Sequence, residues 1–133
     1  MKRKISSICI VVLIVSIFMT CLAPAFASDG ITPRYKAIAQ IASSLSISSS
    51  GGATCAGRVV LDDGYTADLV VELKQDWTTI KTWTSSGSLV VSAGGLYYVM
   101  SGHTYVVRTT ATVYNSNGKL VEIVAKNSLE STY

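Results

Sequence analysis

Tyr65-Thr66-Ala67-Asp68-Leu69-Val70-Val71-Glu72-Leu73-Lys74 is the stretch whose reading decides the fold class. Tyr65, Ala67, Leu69, Val71 and Leu73 recur at every second position, with Thr66, Asp68, Glu72 and Lys74 between them; Val70 alone breaks the pattern. A period of two places one set on each face of a strand, so one face is buried and the other is wet. That is the pattern of an antiparallel sheet packed on one side. The stretch follows Leu61-Asp62-Asp63-Gly64, a turn signal.

Working outward, the same period recurs. Tyr105, Val107, Ala111 and Val113 alternate with Thr104, Arg108, Thr110 and Thr112, and Val121, Ile123 and Ala125 alternate with Glu122 and Lys126. Between these two runs, Asn115-Ser116-Asn117-Gly118 suits a tight hairpin. Ala53, Cys55, Gly57, Val59 and Leu61 form a further inward face, Trp77–Thr84 a fifth strand and Leu89–Ser92 a short sixth. Ser49-Ser50-Gly51-Gly52, Ser85-Ser86-Gly87 and Ala93-Gly94-Gly95 read as breaks. The first segment admits two readings. Thr32-Pro33 can open a helix with Tyr35, Ile38, Ile41, Ala42 and Leu45 as its stripe, whereas Tyr35, Ala37, Ala39, Ile41, Leu45 and Ile47 alternate as a strand. The serine-rich end of the segment favours the strand. Seven strands at short, regular turn intervals predict an all-β, antiparallel, seven-stranded immunoglobulin-like β-sandwich over residues 35–133, with a small β-barrel as the rival.

The N-terminus carries a different message. Met1-Lys2-Arg3-Lys4 is a positive cluster, Ile5–Leu22 is apolar apart from three serines and Thr20, and Ala25-Phe26-Ala27 follows Pro24. A charged segment, an apolar segment and an A-x-A site make a secretory signal peptide over residues 1–27, cleaved after Ala27, with residues 28–34 as a short leader. Pro24 and the alanine site argue against a membrane anchor, and Phe18-Met19-Thr20 does not suit lipid attachment at Cys21.

Removing that segment changes the composition. The chain of 133 residues has a formal charge of +3, and Lys2, Arg3 and Lys4 account for all of it. The remaining chain is neutral, which leaves no electrostatic footprint for nucleic acid or for an anionic membrane. Cys9 and Cys21 leave with the signal, so Cys55 alone remains and no intramolecular disulfide can form. The domain, secreted to the extracellular space, must rest on its core.

Gly102-His103-Thr104-Tyr105-Val106-Val107, running through Ala111 to Asn117-Gly118, resembles the F strand and F–G turn of fibronectin type III and related immunoglobulin-like domains. The resemblance implies that Tyr105 forms a tyrosine corner, its hydroxyl turned back onto the chain. The tryptophan of those domains would have to be Trp77 or Trp83, and neither sits at the expected place. The signal peptide, Pro33-Arg34-Tyr35, Cys55-x-Gly57, Leu73 followed by Trp77-Thr78-Thr79, and Gly102-His103-Thr104-Tyr105 before Val113-Tyr114-Asn115-Ser116-Asn117-Gly118 together resemble a group of small uncharacterised secreted proteins of Gram-positive bacteria. That group lends a fold and a location but no activity.

Candidate chemistry is sparse. His103 is the only histidine and no Gly-x-Ser-x-Gly elbow accompanies it, so no catalytic residue is assigned and the domain is read as non-enzymatic. One histidine and one cysteine cannot supply the four ligands of a zinc site. Asp62-Asp63-Gly64 with Asp68 lacks the EF-hand spacing and reads first as a turn, so no metal or cofactor is expected. Cys55 lies on an apolar face, where an unpaired thiol behaves as a small hydrophobe. The aromatics remain. Trp77 and Trp83 are an even number apart and share a face if they lie on one uninterrupted strand; with Tyr97 and Tyr98 they are the candidate ligand-binding residues. Core packing competes for all four. The expected partner is an extracellular protein or glycan, cell-wall carbohydrate included, and a secreted toxin, bacteriocin or inhibitor is the alternative class.

Overall fold

The computed structural model describes residues 35–133; the expected signal peptide, cleavage site and leader lie outside the described residues. Seven long strands and one short one follow in order. They are β1 (Ile38–Ile47), β2 (Gly52–Leu61), β3 (Thr66–Gln75), β4 (Thr78–Ser88), β5 (Val90–Tyr98), β6 (Thr104–Tyr114), β7 (Leu120–Asn127) and β8 (Ser131–Thr132). All pairings are antiparallel. One sheet has the order β1-β2-β5, the other β4-β3-β6-β7, with β8 paired to the start of β6. The two sheets do not close into a barrel. In immunoglobulin lettering this is A-B-E over C′-C-F-G. The first segment is a strand, as its serine-rich end suggests.

The core forms where the alternating faces meet. Leu69, Val71 and Leu73 of β3, Val107, Ala111 and Val113 of β6, and Cys55 and Val59 of β2 are all buried. At the centre the sheets come very close. A Cβ on Gly57 would fall against Thr109 Oγ1, 2.5 Å from Val71 Cγ2 and 2.8 Å from Thr109 Cγ2. Only a residue without a side chain fits there. Thr109 is fully buried, and its hydroxyl donates to Ser43 Oγ at 3.0 Å, which donates in turn to the Val107 carbonyl at 2.9 Å. This two-step relay satisfies the buried hydroxyl and ties β1 to β6.

Four expectations about the strands need correction. Ala93-Gly94-Gly95 does not break a strand: β5 runs straight through it, and Gly95 leaves the space that the Trp83 indole occupies. Ser85-Ser86-Gly87 likewise stays in β4, paired with Leu69, Asp68 and Ala67, and Ser86 donates to Asp68 at 2.8 Å. The turn between β4 and β5 falls instead at Leu89, whose φ is +62°. In β7 the face is inverted. Val121 is an extra residue opposite the Val113–Tyr114 step, so beyond it Val124 packs on the core while Ile123 is exposed. A bulge shifts the alternation by one, which a strict period of two cannot foresee. Ala39 does the same in β1, lying between the paired Ile38 and Gln40, and is exposed rather than inward.

Candidate functional site

The A–B turn, the turn joining β3 to β4, the loop before β6 and the residues of β8 all lie at one end of the sandwich, as the pairings of Gly52 with Tyr98 and of Gln75 with Tyr105 require. That pole is densely bonded. Tyr105 is buried and its hydroxyl donates to the Met100 carbonyl at 2.5 Å, five residues upstream; this is the expected tyrosine corner. Burial raises the Tyr105 pKa, so the hydroxyl stays a donor. Val99 N–H donates to Gly51, Gly102 N–H to Tyr133, and Tyr133 N–H to His103, while the Tyr133 hydroxyl donates to Ser49.

Asp76 and Trp77 form the two-residue turn between Gln75 and Thr78, with φ of +47° and +68°. Two successive positive φ angles mark the hairpin turn that favours Asn-Gly or Asp-Gly. Aspartate tolerates that region, but tryptophan is held there at a cost of roughly 1–2 kcal/mol. The turn is fastened from the Asp76 side. Its N–H donates to the Thr104 carbonyl at 2.8 Å, its Oδ1 accepts from Thr104 N–H at 3.1 Å, and its Oδ2 lies 2.6 Å from His103 Nδ1. The hydrogen bond from His103, followed by that from Thr104, lowers the Asp76 pKa below the usual carboxylate value. The His103 ring also meets Tyr105 edge-on, with ring centroids 6.4 Å apart. No local sequence signal joins His103 to Asp76, because the two residues are 27 apart and meet only through the fold. The Asp that opens a left-handed turn was the signal available.

The four candidate aromatics divide. Trp77 is 57 % exposed at the tip of the turn, and Tyr98 is 69 % exposed at the end of β5. Trp83 and Tyr97 are half-buried and pack against the core. Trp83 turns inward from β4, and its Nε1 would lie 2.7 Å from a Cβ placed on Gly95; Lys81 Nζ sits 6.0 Å from its ring centroid. Trp77 and Trp83 therefore do not share a strand face. Trp77 belongs to the turn, and Ile80 is an extra residue between the Leu73–Lys81 and Lys74–Thr79 pairs. Cys55 is buried, and desolvation pushes its thiol up to about 11. Asp62 and Asp63 are exposed in the turn before β3, and Asp68 lies on the outer face of β3.

The fold and the corner together define an immunoglobulin-like β-sandwich with the strand order A-B-E and C′-C-F-G. No protein-family profile matches the sequence, and neither does any curated protein. Among solved structures, the N-terminal domain of DsbD from Neisseria meningitidis in its reduced form is similar, with 12 % identity over 80 % of this chain and 93 % of that one and a TM-score of 0.44.

Proposed function

We propose that this protein is a secreted, non-catalytic binding module that engages an extracellular protein or glycan through the Trp77 pole. One observation carries the reading. A large aromatic is displayed to solvent at a backbone conformation that glycine would adopt without strain. Strain kept at an exposed residue is a pointer to use rather than to stability. The turn beneath it is anchored by three contacts from Asp76, so the indole is presented on a rigid base. A flat, amphipathic ring held this way suits stacking on a sugar face or anchoring in a protein pocket. The secretion signature and the resemblance to small exported proteins of Gram-positive bacteria support an extracellular setting.

The test is a glycan array and a cell-wall pull-down with the wild-type protein and the Trp77→Gly and Trp77→Ala variants. Trp77→Gly suits the turn and is expected to keep the fold while losing the bound partner. Trp83→Ala is the contrast, since it removes a half-buried ring and should lower stability first. Undiminished binding by both Trp77 variants would remove the reading.

A further inference from the structure

The turn that displays Trp77 sets a carboxylate beside the indole. Asp76 is the residue before it, and its side chain is 55 % exposed. Its oxygens accept one hydrogen bond each, from Thr104 N–H and from His103 Nδ1. A carboxylate has about four acceptor sites, so both oxygens keep room for a further donor. The lowered pKa keeps the group ionised at neutral pH. Among the described residues no lysine or arginine pairs with it, and the two lysines flanking the turn are engaged elsewhere. Lys74 Nζ donates to Thr79 Oγ1 at 2.9 Å and lies 3.9 Å from Glu72, while Lys81 lies over the Trp83 ring. An ionised carboxylate with no lysine or arginine of its own, next to an exposed tryptophan, suits a cation from outside. Indole is the best aromatic ring for a cation, and the carboxylate supplies the opposite charge.

The exposed apolar surface does not end at Trp77. Gln75, which leads into the turn, meets the Tyr105 hydroxyl at 3.4 Å, and the same hydroxyl caps the Met100 carbonyl. Met100 is thus seated at the end of β3, close to the turn, and it is 69 % exposed. Two residues earlier Tyr98 is equally exposed. Its ring and the Leu96 side chain both lean over Gly52, at 3.6 and 3.3 Å from the position a Cβ there would take. Trp77, Met100, Tyr98 and Leu96 therefore follow one another around this end of the sandwich. The loop that carries Met100 is held as firmly as the turn, through Val99 N–H to Gly51 and Gly102 N–H to Tyr133.

We infer, on the reading of the Trp77 pole as a binding surface, that Asp76 and Trp77 together receive the cationic group of an arginine or lysine in a partner protein, whose neighbouring apolar side chains lie on Met100, Tyr98 and Leu96. The occupant narrows from a protein or glycan to a cationic, apolar protein segment. Charge complementarity selects it. A neutral sugar would stack on Trp77 and leave the Asp76 charge unanswered. An amino sugar would answer the charge but has no apolar side chain to lay on Met100 and Leu96. Aromatic residues, methionine and arginine are the types that concentrate in protein interfaces, and the methionine thioether adapts to apolar partners of varied shape.

A phage-displayed random peptide library, panned on the full gene product in the processed form its host yields, tests this, with the selected peptides then measured by fluorescence polarisation. Peptides that carry arginine or lysine beside aromatic or aliphatic residues are expected. Trp77→Gly should weaken the best of them about tenfold or more, and Met100→Ser about threefold. Asp76→Asn keeps an acceptor for Thr104 N–H and suits the turn, so it removes the charge alone. It should weaken binding about two- to fivefold at low salt, with the difference gone at about 1 M salt. Replacing the peptide's arginine by citrulline probes the same contact without touching the fold and should cost as much; thermal melts check that the variants remain folded. No enrichment, selected peptides without a cation, or an affinity indifferent to both Asp76→Asn and citrulline would each overturn the inference. Binding of soluble polyglucosamine in place of any peptide would overturn it too, while leaving Trp77 as the site. Peptide binding that survives Trp77→Gly and Trp77→Ala would remove the Trp77 reading itself.

Discussion

Gly57→Ala inserts one methyl group at the narrowest point between the sheets, and the structure allows its cost to be worked out. The new Cβ meets two side chains inside van der Waals distance, Val71 and Thr109, both fully buried. Overpacking of this kind costs roughly 1–3 kcal/mol. Alanine recovers about 0.5–1 kcal/mol relative to glycine in a strand interior. Thr109 cannot retreat freely, because its hydroxyl is committed to Ser43; displacing it leaves a buried hydroxyl unpaired, at about 1–3 kcal/mol. The net loss is about 3 kcal/mol, which for a domain near a hundred residues lowers Tm by roughly 12–24 °C. Urea unfolding followed by tryptophan fluorescence should show a lower midpoint at unchanged slope. Val71→Ala opens space at the same spot, so the double variant should be more stable than the sum of the single losses predicts, with a coupling of about 1 kcal/mol or more. A Gly57→Ala variant within about 0.5 kcal/mol of wild type, or strict additivity with Val71→Ala, would refute the close approach.

Tyr105→Phe removes the corner hydroxyl and leaves the Met100 carbonyl without its donor, so it should cost about 1–2 kcal/mol in chemical denaturation with the circular dichroism spectrum unchanged. Asp76→Asn should flatten the acid limb of the stability curve. The Asp76 carboxylate has a lowered pKa in the folded state, so its contribution is fully present above the ordinary value of 3.8 and is lost as pH falls through the folded value. Midpoints in urea measured between pH 6 and pH 2 on both proteins, an interval of about four units that spans the titration, give the comparison. Cys55 should resist iodoacetamide at pH 8, where a thiol titrating near 11 is roughly one part in a thousand thiolate, and should label at the rate of unfolding.

Much of the fold was legible because the inward faces of β2, β3 and β6 obey a strict period of two. Cys55, Leu69 and Val107 lie where alternation puts them. The errors fall where geometry departs from that period. Val121, Ala39 and Ile80 are single extra residues, invisible to a pattern that assumes unbroken pairing. Gly94-Gly95 reads as a break because glycine usually punctuates, but here Gly95 answers to the bulk of Trp83 on another strand and Gly94 to the β2 backbone at Cys55 and Ala56. The site was half legible. An exposed aromatic could be guessed for Trp77, yet its turn geometry depends on a contact with Thr104 and His103 that only the pairing of β3 with β6 creates.

The notch at Gly57 also acts as an index mark for the assembly of the two sheets. Apolar faces alone would tolerate a slide along the strands, since one valine greases the contact much as another does. Slipping β2 by two residues would drive Cys55 or Val59 into the place that admits no side chain. Shifting β1 would strand the Thr109 hydroxyl in a dry interior without Ser43 to receive its proton. The sandwich thus carries its own alignment gauge, one gap and one hydroxyl chain, that only the native docking satisfies.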